Sequence, residues 1–264
     1  MKNYITSPLP FKGQKRFYIR QIQELARLEF AECTTFVDLF GGSGFVSHTI
    51  KQARLDANVV WNDYDNFQYR IQQIPQTNQQ LRKIREILKN VGDSLLVQGN
   101  EKTELLAYLA TLPEEADWIT LSQNILFPQN YASTKTEMLN NTFYNRCRVS
   151  DIPDIDGYLA DVIRVEGDWT EIYEQYKDTP NVCFIADPPY VLTDNSGYKN
   201  SMNLRETCKL LSALRDYPFL IFCGGVSVFD ELFKFAGVSV QTFIKKRKTN
   251  INKVAKDEML LYKI

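Results

Sequence analysis

The sequence predicts an α/β fold built on a mostly parallel sheet that ends in an antiparallel hairpin. Three observations carry this. Short apolar runs of strand length alternate with helical patterns at both ends of the chain. Several of these runs stop abruptly on an acid, as in "ANVVWND", "DVIRVEGD" and "VCFIAD". The last two runs, "VSVQTFIKK" and "EMLLYKI", have no helical pattern between them, as in a hairpin that closes a parallel sheet.

The elements follow in order. Phe36 to Phe40 reads as a short buried strand, "GGSG" as a turn, and Phe45 to about Ala53 as a helix. "ANVVWND" is the next strand, which completes one βαβ unit. Helical periodicity returns from about Asn66 to Ile74, from Leu81 to Leu88 and from Glu101 to Leu109. From about Pro113 to Asp161 no period is sustained. That is too long for an ordinary connection, so it reads as an insertion with a job or a disordered segment. Its aromatics, Phe127, Tyr131, Phe143 and Tyr144, favour order. Alternation then resumes with "DVIRVEGD" (strand), "WTEIYEQYK" (helix) and "VCFIAD" (strand). Leu204 to Asp216 is a helix, "FLIFCGG" a strand and "VFDELFKFA" a helix. The expected division is a core of residues 1–65 and 160–264, interrupted by a helical and loop insertion at 66–159.

Bulk properties narrow the function classes. The chain has 264 residues, 44% hydrophobic and 24% charged, which suits an ordinary soluble core. A net charge of −1 excludes a generally basic nucleic-acid coat, so any such binding must come from local patches. The five cysteines are odd in number and form no C-x-x-C, as expected of reduced packing cysteines in the cytoplasm. His48 is the sole histidine and lies just inside a predicted helix. A metal centre and a Ser-His-Asp hydrolase are therefore not expected. The first residues carry no apolar signal core, and no stretch approaches 18 apolar residues, so neither secretion nor a membrane span is expected.

Two constellations carry chemistry. Gly42-Ser43-Gly44-Phe45-Val46-Ser47 reads G-x-G-x-x-S between a strand and a helix. Glycines there allow a tight turn and close approach of a ligand to the backbone. Asp63, about 20 residues on at the end of the second strand, can accept hydrogen bonds from two ribose hydroxyls. Together Gly42, Gly44 and Asp63 suggest an adenosine-containing cofactor, without separating NAD from S-adenosylmethionine.

The second constellation is "DPPY", Asp187 to Tyr190, at the carboxyl end of an apolar strand. Pro188 and Pro189 fix φ and remove donors, and Pro188 also keeps Asp187 extended. The result is a stiff loop of acceptors beside an aromatic face. It suits a planar group with an exocyclic amine, whose two N–H bonds go to acceptors while its ring stacks on tyrosine. Methyl transfer to such an amine needs acceptors that favour a pyramidal nitrogen and an in-line methyl donor.

With these motifs in order, the sequence resembles the Dam-type DNA adenine-N6 methyltransferases (the D12 class, α group). "PFKGQKR", "FVDLFGGSG", "NDYD", "EGDW" and "DPPY" match that family's motifs over most of the chain. The resemblance implies a Rossmann-like S-adenosylmethionine-dependent methyltransferase fold with an inserted target-recognition region. It implies that Phe11 and Lys15 contact cofactor, that Phe40, Gly42 and Gly44 shape its methionine side, and that Asp63 holds its ribose. Asp168 would meet the cofactor adenine, with Trp169 packing nearby. Asp187 and the Pro188 carbonyl would hold the target amine, and Tyr190 would stack on the flipped base. Gln14 stands where the family often has glycine, and Phe11 where tryptophan is common.

Double-stranded DNA is the implied partner, bound by a monomer. Candidate contacts are Lys135, Arg146 and Arg148 in the insertion, and Lys245 and Arg247 in "KKRK" near the end. "VLTDNSGYKN" after Tyr190 reads as a loop that could close over the target strand. Two alternatives stay open: an inactive methyltransferase-fold protein that only binds DNA, and an RNA adenine-N6 methyltransferase.

Overall fold

A computed structural model describes residues 4–128, 130–189, 202–224, 228–247 and 256–264. Tyr190, the loop "VLTDNSGYKN" and Lys248 lie outside these residues. The chain divides into two compact units. The larger holds residues 1–7, 13–66 and 157–264; the smaller holds 8–12 and 67–156.

In the larger unit, α1 (Ile19–Arg27) precedes β1 (Thr35–Asp38), α2 (Phe45–Ala53) and β2 (Asn58–Asn62). The smaller unit then contributes α3 (Phe67–Gln72), α4 (Ile74–Ile87), α5 (Gly99–Thr111), α6 (Trp118–Ile125) and α7 (Lys135–Leu139). The larger unit resumes with β3 (Ile163–Val165), α8 (Trp169–Tyr176), β4 (Val182–Ala186) and α9 (Leu204–Leu214). It ends with β5 (Phe219–Gly224), α10 (Val228–Phe235), β6 (Gln241–Arg247) and β7 (Lys256–Lys263).

The strands form one seven-stranded sheet in the order β3-β2-β1-β4-β5-β7-β6. The pairs among β1 to β5 are parallel, and β7 runs antiparallel to both its neighbours. The predicted closing hairpin is therefore present. Side-chain alternation along the buried strands explains the layers. Cys183 and Ile185 of β4 face Ile22 and Leu25 of α1 and Val46 and Ile50 of α2 in one cluster. Phe184 and Ala186 face the opposite cluster, with Ile172 of α8, Leu210 and Leu214 of α9 and Phe233 of α10. Both faces of the central strands are covered. That is why they read as continuous apolar runs and not as alternating ones.

In the smaller unit the structure differs from the sequence expectation. The aperiodic stretch contains two helices, α6 capped by Asp117 accepting from Thr120 N, and α7 capped by Thr134 accepting from Glu137 N. They run for only eight and five residues, too short for a periodic signal to stand out. Trp118, Leu121 and Ile125 are buried at helical spacing. The two patterns expected at 66–74 and 81–88 resolve into α3 and α4, with Pro75 in the first turn of α4. Arg70 holds this unit together: it donates to Asp117 at 2.9 Å and to the Pro10 carbonyl at 2.9 Å. Among the described residues, no helix is long and apolar enough to cross a membrane.

Candidate active site

The carboxyl ends of β1, β2, β3 and β4 carry the motif residues of the larger unit. Asn62, the last residue of β2, ties three of these ends together. Its amide donates to the Leu39 carbonyl at 2.9 Å and the Gly167 carbonyl at 3.0 Å, and its oxygen accepts from Gly167 N at 3.2 Å. The loops after β1 and β3 are thus fixed to β2 by one buried side chain. On the other side, Leu39 N donates to the Ile185 carbonyl at 2.9 Å, which fixes the end of β1 to β4.

The glycine loop after β1 is shaped by what lies beneath it. A Cβ at Gly41 would come within 2.1 Å of Trp61 Cδ1 and 2.9 Å of the Asn62 carbonyl. Gly44 has φ +71°, and a Cβ there would lie 2.7 Å from Leu159. Gly42 also has positive φ, at 48°. The backbone therefore curls into a conformation that only glycine adopts cheaply. Behind the loop, the Tyr158 hydroxyl donates to the Ser43 carbonyl at 2.8 Å, and His48 Nδ1 accepts from Leu159 N at 3.2 Å. Burial drives the Tyr158 hydroxyl pKa far above its ordinary value. His48 is thus a structural histidine, as its position just inside a helix suggests.

Phe40, after β1, and Trp169, at the start of α8, lie side by side with ring centroids 6.1 Å apart. Asp168 caps α8: its Oδ1 accepts from Thr170 N at 2.9 Å and Thr170 Oγ1 at 2.6 Å, while Glu171 accepts from Asp168 N. Asp63 lies at the end of β2 and is fully buried, with Oδ2 2.7 Å from Arg164 Nε. The Asp63 carboxylate raises the Arg164 pKa, chiefly through that hydrogen bond.

Asp187 follows β4 directly and is half-buried; Pro188 behind it is buried. Asp187 Oδ2 sits 2.5 Å from Lys15 Nζ. Asp38, the last residue of β1, is buried beside them and accepts from Ser47 Oγ at 2.7 Å. Its pKa is pushed up to about 7, mainly by burial and partly by the Asp187 charge, against the pull of Ser47 and Lys15. Asn62, Asp38 and Tyr158 were not singled out in the sequence. For the first two a signal exists: each is a polar residue closing an apolar strand.

The remaining candidates fall on other segments of the chain. Phe11 belongs to the smaller unit, with its ring 5.9 Å from that of Phe67. The motif "PFKGQKR" is therefore divided: Phe11 packs in one unit and Lys15 in the other. Lys135 is anchored internally, its ammonium donating to the Leu112 carbonyl at 2.7 Å. Arg146 and Arg148 are exposed on a segment whose backbone is held by Asn124. Lys245 and Arg247 lie on β6, opposite Glu258 and Lys256 of β7.

The strand order and the closing hairpin define a Rossmann-like methyltransferase fold. No protein-family model matches the chain. Over 238 residues it is 27% identical to a Haemophilus influenzae protein described as "Putative methyltransferase", an alignment that covers 86% of this chain and 79% of that one.

Proposed function

We propose that the protein is a site-specific DNA adenine-N6 methyltransferase that uses S-adenosylmethionine. The observation that carries this reading is Asp187-Pro188 at the carboxyl end of the central strand β4, beside the glycine loop that follows β1. Ligands in sheets of this kind bind beyond the carboxyl ends of the strands, where neighbouring connections diverge. β1 and β4 are adjacent, and their connections leave toward opposite sheet faces: α2 packs in one cluster and α9 in the other.

The residues present fit the cofactor. A side chain at Gly41 or Gly44 of the loop would clash with Trp61 or Leu159 beneath it. Phe40 and Trp169 provide an aromatic wall, and Asp168 an acid at the third strand's end. When bound, S-adenosylmethionine supplies an activated methyl group on a positively charged sulfur. In the ribose role, Asp63 would act beside Arg164, whose Nε it holds at 2.7 Å and whose side chain is 39% exposed.

The chain's own residues do the rest. The Asp187 carboxylate and the Pro188 carbonyl accept the two N–H bonds of the target amine. They draw the nitrogen lone pair out of conjugation and aim it at the methyl group. The bound donor would supply the methyl group to this nitrogen, its sulfur leaving with the electron pair of the C–S bond. The nitrogen, now cationic, gives up one proton to the Asp187 carboxylate or to water.

The test is Asp187→Ala assayed against duplex DNA with labelled S-adenosylmethionine. Turnover should vanish while cofactor affinity is retained. A variant that loses only cofactor affinity would assign Asp187 to the wrong pocket. For an RNA enzyme, label would enter RNA and leave DNA bare.

A further inference from the structure

The resemblance implies that Lys15 contacts the cofactor. The structure assigns it a different task. Lys15 is only 4% exposed, and its ammonium is 2.5 Å from Asp187 Oδ2. It also donates to the Gly13 carbonyl at 2.8 Å and lies 5.4 Å from the centre of the Phe222 ring on β5. A buried ammonium is tolerated when it is paired and hydrogen-bonded, and removing one partner leaves the other exposed to the full cost of burial. A second carboxylate, Asp38, senses both the Lys15 and the Asp187 charges from the end of the adjacent strand. One ammonium thus serves two acids at the ends of β1 and β4.

We propose that Lys15 is a positioning residue for Asp187. Its ammonium fixes Oδ2 and so holds the carboxylate in one orientation beside the Pro188 carbonyl. The proposal rests on the reading of Asp187 as the acceptor of that amine. It separates Lys15 from the cofactor contacts with which the motif groups it.

The full-length protein is assayed as Lys15→Met, which keeps the buried stem, and as Lys15→Arg, which keeps the charge. Cofactor affinity is measured by calorimetry without DNA. Misplacing a reacting group by about 1 Å costs about 100-fold, and that is the loss of kcat expected for Lys15→Met, with cofactor affinity within about threefold of the parent. Lys15→Arg should recover most of the loss. Methylammonium added to Lys15→Ala should raise kcat without changing KM for the cofactor, which a purely structural lysine would not allow. Unchanged kcat with cofactor affinity lowered more than about tenfold, a loss of over 1.4 kcal/mol, would make Lys15 a cofactor contact and overturn the proposal. Should Lys15→Met not fold, the arginine variant decides: a kcat as low as that of Asp187→Ala overturns it. If the parent itself transfers no methyl group, the functional reading fails and takes this proposal with it. An active parent with indifferent Lys15 variants removes the proposal alone.

Discussion

Asp38 and Gly41 show how individual residues at this edge are constrained. Asp38 is buried on a strand end, and its carboxyl pKa is raised to about 7. An acid whose folded pKa exceeds its unfolded value of about 4 binds protons more tightly when folded. Its contribution to stability is full below about pH 4 and is lost as pH rises to about 7. Asp38→Asn should therefore gain stability relative to the parent across that window, by an amount on the order of 2–4 kcal/mol, and level off above it. Urea unfolding at a series of pH values measures this; a parallel pH dependence in the two proteins would show that Asp38 does not titrate there. Gly41 is limited by space. Gly41→Ala would push a Cβ into Trp61 and the Asn62 carbonyl, neither of which can move freely. The expected cost is about 1–3 kcal/mol, as for an overpacked core, with weaker cofactor binding by calorimetry. An alanine variant of parental stability would show that the loop is looser than this packing implies.

At the scale of elements, the strands and their carboxyl ends were legible because chemistry and pattern coincide there. "FVD", "VVWND" and "VCFIAD" are apolar runs closed by polar residues, and all three became neighbouring strands β1, β2 and β4. α6 and α7 were not legible: each is short, and its helical face is buried by contacts distant in sequence. The role of Asn62 was hidden for another reason. A single asparagine carries no sign of which loops it will join, and its three hydrogen bonds reach residues 23 and 105 positions away. Asn62→Leu keeps the volume but strands the Leu39 and Gly167 carbonyls. A buried polar group left unsatisfied costs about 1–3 kcal/mol. That loss, with local hydrogen exchange rising in the loops after β1 and β3, is the expected result. Unaltered exchange in either loop would mean that Asn62 is not their staple.

For the molecule as a whole, the sheet explains how motifs far apart in sequence come to lie at the carboxyl ends of its strands. Lys15, Asp38, Asp63, Asp168 and Asp187 are spread over most of the chain, yet each lies at or beside a strand's carboxyl end or is paired to a residue there. The smaller unit is the part whose purpose the sequence least disclosed. Its basic side chains are mostly committed internally: Arg70 to Asp117, Arg82 and Arg85 to Asp151, and Lys135 to the Leu112 carbonyl. Arg146 and Arg148 remain exposed there, beside Val149 at 94% exposure.

In the proposed reaction this edge delivers a methyl group to N6 of adenine in DNA. The most direct test incubates the protein and unmethylated duplex DNA with S-adenosylmethionine, digests the DNA to nucleosides and identifies methylated products by mass spectrometry. The parent protein should yield N6-methyldeoxyadenosine and Asp187→Ala none. N4-methyldeoxycytidine, or a DNA digest without any methylated nucleoside, would contradict it.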